Sequence, residues 1–195
     1  MTTTISGVLP FLVFAAVVPG IIWRGRRRGL PIPTIAAQLL LGAWIAAIVA
    51  LTLFPLPWRA GGPVPTVVPG RWEWPMPWAS ITPFATIRMS FDRGFGSAEG
   101  RVLIGNLVAF MPLGLLAPSV DRRWQSTIRI LLLGIIASTL IELAQLGWDL
   151  FVGMPWRSAD VDDVIVNAAG AVLGSVAWRL WTTVLAARRT PISSA

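Results

Sequence analysis

Glu142 and Gln145 lie inside an apolar run long enough to cross a membrane, and Arg157, Asp160, Asp163 and Asn167 follow at the mouth of the next such run. Ionisable and amide groups at that depth are costly, which makes each a candidate functional residue. A carboxylate there must be protonated, face water, or pair with a cation such as Arg157. Three chemistries are open to the set. Arg157 can take an anionic headgroup while the acids and amides exchange hydrogen bonds with it. Glu142 or Asp163 can act as a general base. Grouped carboxylates such as Asp160, Asp163 and Glu142 can also hold a hard cation, but their spacing alone does not assign a metal site, and no metal or cofactor is expected. The chain has no Cys and no His, which removes thiol nucleophiles, disulfides, imidazole bases and the usual zinc and haem sites. Neither G-x-S-x-G nor a P-loop is present.

Helical spacing is what would gather these residues. Glu142, Gln145 and Asp149 fall at i, i+3 and i+7 on one helix face, and Asp160, Asp163, Asn167 and Gly170 share another. The composition says which kind of helix: 55% of residues are hydrophobic and only 13% charged. The expected fold is an all-α integral membrane protein, a single domain over residues 1–195 with a bundle of about five transmembrane helices. The spans are read at 5–23, 34–56, 102–120, 130–151 and 161–187, with an outer loop at 57–100. The first run follows a start without positive charge or a cleavage pattern, so it reads as a retained span. Pro31 and Pro33 break the chain between the first two.

The arginines set the orientation. Ten of them, from Arg24 to Arg189, and one acid, Asp121, fall toward one face, while six Arg and eight acids fall toward the other. Positive charge flanking a span stays in the cytoplasm, so the arrangement expected is N-out and C-in. The net charge of +7 is thereby explained by topology, and no nucleic-acid motif accompanies it. In this scheme Asn106, Glu142 and Asn167 all lie roughly 7 to 14 Å beneath the outer boundary, taking ~1.5 Å of rise per residue.

The outer loop is rich in proline and carries Trp58, Trp72, Trp74 and Trp78. Indoles favour the headgroup level, and they would also suit a lid over a polar site. From Ser80 to Phe91 the apolar residues Ile81, Phe84, Ile87 and Phe91 recur as in a short interfacial helix.

Several residues have plainer structural uses. Asn106 and Asn167 can hydrogen-bond between helices, and the Gly170-x-x-x-Gly174 pair suits close packing. Pro112 with Gly114 suits a kink. Asp160, Asp162 and Asp163 stand where a helix start takes a cap, and at least one is expected to provide it.

Four blocks together resemble the VanZ-like family. They are Ile81-Thr82-Pro83-Phe84-Ala85-Thr86-Ile87, Gly105-Asn106 through Pro112-Leu113-Gly114, Ser138 to Gln145, and Arg157-x-x-Asp160-x-x-Asp163-x-x-x-Asn167-x-x-Gly170-x-x-x-Gly174. Ser80 and Ala168 stand where the family more often has Asn and Thr. The resemblance implies a multi-pass protein of the bacterial cytoplasmic membrane, in a family whose named member is associated with resistance to the lipoglycopeptide teicoplanin. It supplies no reaction.

The reading favoured is a non-catalytic cell-envelope protein whose outward-facing polar pocket binds a lipid-linked or amphiphilic molecule. Membrane lipids, a lipid-linked peptidoglycan precursor or a lipoglycopeptide are the partners considered, and Asn106, Glu142, Gln145, Arg157, Asp160, Asp163 and Asn167 would line the pocket. One alternative is an intramembrane enzyme on a lipid-linked substrate, with Glu142 or Asp163 catalytic. Another is a lipid transporter or flippase, although the polar residues stop in the outer half instead of lining a full route.

Overall fold

The computed structural model describes residues 2–54, 56–59, 79–152 and 157–189, and the stretch with Trp72, Trp74 and Trp78 lies outside them. Among the described residues are six helices: α1 (Leu9–Arg27), α2 (Ile32–Leu53), α3 (Ala85–Arg93), α4 (Ala98–Val120), α5 (Thr127–Val152) and α6 (Val161–Arg189). All but α3 are long and apolar enough to cross a membrane. Side chains such as Leu12, Leu51, Leu140 and Trp181 are exposed along them, as lipid contact requires.

Local chemistry sets the ends of these helices. Pro33 sits in the first turn of α2, where its missing N–H has no partner to lose. It therefore starts the helix, whereas the sequence reading had it breaking the chain before residue 34. Gly29 follows α1 with φ of +63°, a left-handed conformation that glycine adopts without strain. Ser97 caps α4 by accepting the Gly100 N–H at 3.1 Å, so that helix begins at Ala98, inside the stretch read as loop.

The first span also starts later than residue 5. Thr2–Ile5 (β1) pairs antiparallel with Leu56–Arg59 (β2), which places the chain start beside the residues leaving α2. A second pair joins Ala79–Ser80 (β3) in parallel with Ala159–Asp160 (β4). Residues 79–80 are therefore strand and the short helix begins only at Ala85.

Contacts between helices fix their directions. Asn167 meets Ser138 and Gly134 meets Ala168 and Ala171, so α5 and α6 run antiparallel. Gly170 meets Leu107 while Gly174 meets Met111, so α4 and α6 run parallel. Gly42 lies against Phe14 and Gly25 against Ile35, which makes α1 and α2 an antiparallel pair. The arginines after α1 and α4 and at the end of α6 thereby collect at one end of the bundle, and the acids of α6 at the other.

The α4–α6 seam is the tightest part of the core. A Cβ at Gly114 would overlap the Ala171 carbonyl oxygen, one at Gly170 that of Leu107, and one at Gly174 that of Met111. Small residues let the backbones touch, and in lipid such van der Waals packing is what holds helices together. Phe110, Leu113, Ala117, Ile130 and Ala171 are buried around the seam. Trp44 of α2 closes it by stacking edge-on against Phe110 at 5.8 Å and donating its indole N–H to the Ala109 carbonyl at 2.6 Å.

Gly174→Ala and Gly170→Ala should each destabilise the protein by about 1–3 kcal/mol, because the neighbour displaced is backbone. Gly105→Ala, where a Cβ meets nothing, should shift stability by about +0.5 to +1 kcal/mol from helix propensity alone. Thermal unfolding in detergent checks this. Equal effects at positions 105 and 174 would remove the seam from the account.

Candidate functional site

The start of α6 organises the polar end of the bundle. Asp160 caps its own helix by accepting the Asp162 N–H at 2.9 Å. Its other oxygen accepts the Thr86 hydroxyl at 2.6 Å. Asp162, only 1% exposed, turns away from α6 and caps α3 instead. It accepts the N–H groups of Phe84 at 2.5 Å, Thr86 at 2.7 Å and Ile87 at 3.0 Å. These are the donors that a helix start leaves without internal partners. Phe84 itself is held at φ 65°, ψ 10°, a left-handed conformation unusual for a residue with a bulky side chain. The three charge-assisted bonds from Asp162 offset that strain.

Glu142 of α5 joins the same assembly. Its Oε2 accepts the Asp160 N–H at 2.9 Å, while Oε1 accepts no hydrogen bond among the described residues. Glu142 is buried, and Asp160 and Asp163 lie close enough to repel its charge. Asn106 of α4 lies beside the Asp163 carboxyl. One turn deeper, Asn167 donates to the Ser138 hydroxyl at 2.8 Å, and its buried Oδ1 has no partner among the described residues. Glu142, Asp160, Asp163 and Asn106 are thus one group, with Asn167 directly beneath it. Among the described residues their acids do not converge as metal ligands.

Arg157 and Gln145 belong to an adjoining group. Gln145 donates to the Thr52 carbonyl at 2.8 Å, tying α5 to the end of α2. The Arg157 N–H is donated to Asp149 at 2.9 Å, and its guanidinium reaches the Phe54 carbonyl at 3.3 Å. The Arg157 Nε is buried without an acceptor. Its guanidinium pairs with neither Glu142 nor Asp160 among the described residues.

The sequence reading did not single out Asp162, Thr86 or Ser138. From the sequence Asp162 is only one of three possible caps for its own helix. In the sequence, Ile81–Ile87 and the run from Arg157 to Gly174 stand as separate blocks of the family resemblance. In the structure the two blocks are one contact.

Residues 41–182 match the family described as VanZ/LLP1, which covers well over half of the chain and includes every residue of both polar groups. No curated protein and no solved structure matches the chain.

Replacing Asp162 tests the α3 anchor. Asp162→Ala leaves three backbone donors without their acceptor, and the loss of a cap alone costs about 0.5–2 kcal/mol. Amide hydrogen exchange at residues 84–90 should speed up by about tenfold or more while α4 stays protected, since each ~1.4 kcal/mol is a factor of ten in the opening equilibrium. Unchanged protection of α3 would show that other contacts hold it.

Proposed function

The chain belongs to the VanZ/LLP1 family, and from that premise we propose that it is a multi-pass protein of the bacterial cytoplasmic membrane that binds the anionic headgroup of a lipid-linked or amphiphilic envelope molecule. The observation that carries this reading is Arg157. Its guanidinium has no carboxylate partner among the described residues, has a buried Nε without an acceptor, and makes one long hydrogen bond to a carbonyl. A cation held in that state favours an incoming anion, which would supply the missing acceptor and charge together.

Asp160, Asp162 and one oxygen of Glu142 in the neighbouring group already receive donors, so these acids serve to shape and orient more than to attract a second cation. The hydroxyls beside them are also engaged, Thr86 with Asp160 and Ser138 with Asn167. That favours binding over nucleophilic chemistry. With the arginine-rich end in the cytoplasm, the Arg157 end faces outward, the side on which lipid-linked peptidoglycan precursors and lipoglycopeptides are met. Binding there would connect the protein to glycopeptide resistance of the teicoplanin type.

The test uses purified protein in nanodiscs with phosphatidylglycerol or phosphatidylcholine as the guest lipid. Arg157→Gln should weaken retention of phosphatidylglycerol by about tenfold or more, the loss of one charge-assisted hydrogen bond. Arg122→Gln, exposed at the opposite end, should leave it unchanged. In cells, Arg157→Gln should lower any teicoplanin tolerance that the wild-type protein confers. Phosphatidylglycerol retention that is indifferent to Arg157 in a folded variant would defeat the reading.

A further inference from the structure

Phe54 connects the Arg157 site to an apolar groove. Its carbonyl accepts from the guanidinium, and the residue also closes one end of a groove between α1 and α2. The groove holds about 450 Å³ and is lined by Leu9, Val13 and Val17 from α1 and by Ile45 and Val49 from α2, with no charged residue on its wall. Val13, Val17 and Ile45 are about half exposed, so it opens sideways to the bilayer. Gly42 keeps it open by admitting the Phe14 ring against the α2 backbone, where a Cβ would meet the ring at 2.5 Å.

Its position and size narrow what can fill it. From Leu9 to Ile21 the groove wall runs ~18 Å along α1. That is about half of the ~30 Å hydrocarbon core, the depth of one leaflet. It starts at the end of the bundle that carries Arg157. A helix of ~10 Å diameter over that length would occupy roughly 1,400 Å³, well beyond the groove, whereas a hydrocarbon chain is slim enough to lie within it.

We infer that the α1–α2 groove seats the hydrocarbon chain of the same amphiphile whose anionic headgroup Arg157 takes, so that the ligand is a membrane lipid with an acidic headgroup and a linear chain. The inference rests on the headgroup reading above and adds to it the path of the chain. Phe54 is the hinge between the two: its backbone steadies the charged group, and its side chain bounds the apolar one. A zwitterionic lipid offers Arg157 the same phosphate but with a cation beside it, so it gains less from the guanidinium than an acidic lipid does.

The full-length protein in nanodiscs, with phosphatidylglycerol carrying a diazirine on its acyl chain, provides the test. After photolysis, label mapped by mass spectrometry should concentrate on Leu9–Ile21 and on residues 45–49, several-fold above the exposed lipid-facing Leu132 and Leu140 of α5. Val13→Trp should cut the groove label, and Ile45→Trp is an independent filling of the same space should the first variant fold poorly. Arg157→Gln should lower groove labelling by the phosphatidylglycerol probe several-fold more than that by a phosphatidylcholine probe. Even labelling of the groove and α5, label unmoved by both Trp variants, or a second copy of the chain cross-linked in the groove would each overturn the inference, while Arg157-dependent lipid retention could persist without it. Groove label undiminished by Arg157→Gln would overturn the link between headgroup and chain. Loss of Arg157 dependence in lipid retention as well would identify the headgroup reading as the part that failed.

Discussion

The direct backbone contact between α4 and α6 is the constraint from which the other arrangements follow. In lipid the apolar surface gains little by moving from solvent to protein, so helices are held where their backbones can approach closely. Gly114, Gly170 and Gly174 remove the side chains that would keep α4 and α6 apart. Once these helices lie parallel in contact, Asn106 comes beside Asp163, and Asn167 is left facing α5, where Ser138 accepts its amide. Trp44 and Phe110 then fill the side toward α2. The polar assembly is built on a seam whose closest approaches are made by backbone.

At the start of α6 the problem is how to keep several carboxyl groups in a small volume. The answer is donors supplied by backbone. Asp162 takes three N–H groups from the segment entering α3, Asp160 takes the Asp162 N–H and the Thr86 hydroxyl, and Glu142 takes the Asp160 N–H. Each acid is thereby fixed in place by a group that cannot dissociate or be screened. The same bonds hold Phe84 in its left-handed conformation and attach α3 to the bundle. An anchor from α6 sets the conformation of a segment more than seventy residues earlier in the chain.

Much of this was legible in the sequence, and the reasons differ by feature. The five membrane helices follow from runs of apolar residues, and the seam was visible as Gly170-x-x-x-Gly174, because spacing along one helix is a local property. The capping role of Asp160 was within the expectation for an acid at a helix start. What could not be read was the partner of each group. Asp162 has the sequence context of a cap for α6 and the geometry of a cap for α3, since only the fold brings residues 84–87 beside it. Arg157 illustrates the same limit, because Asp160 is one turn away in sequence yet the guanidinium turns toward the end of α2. The strands at Thr2–Ile5 and Leu56–Arg59 were hidden for a different reason: hydropathy does not distinguish the last apolar residues of a span from the first of a strand that continues it.

The separation of Arg157 from the acids also bears on the kind of ligand this end of the bundle can accept. Had the guanidinium paired with Glu142 or Asp160, the charges would have cancelled in place, and a newcomer of either sign would have had to break that pair. Instead Asp160, Asp162 and one oxygen of Glu142 accept from N–H and O–H donors, which carry no net charge, and the Arg157 guanidinium is left with one carbonyl at 3.3 Å. The two groups therefore differ in what they lack. Asp160 and Asp162 have their hydrogen bonds, whereas the Arg157 Nε is buried without an acceptor and the guanidinium makes no ion pair among the described residues. An anion answers both deficits in one step, and a cation answers neither. The selectivity proposed for the site thus comes less from the presence of Arg157 than from its guanidinium being turned to the Phe54 carbonyl and away from Glu142 and Asp160.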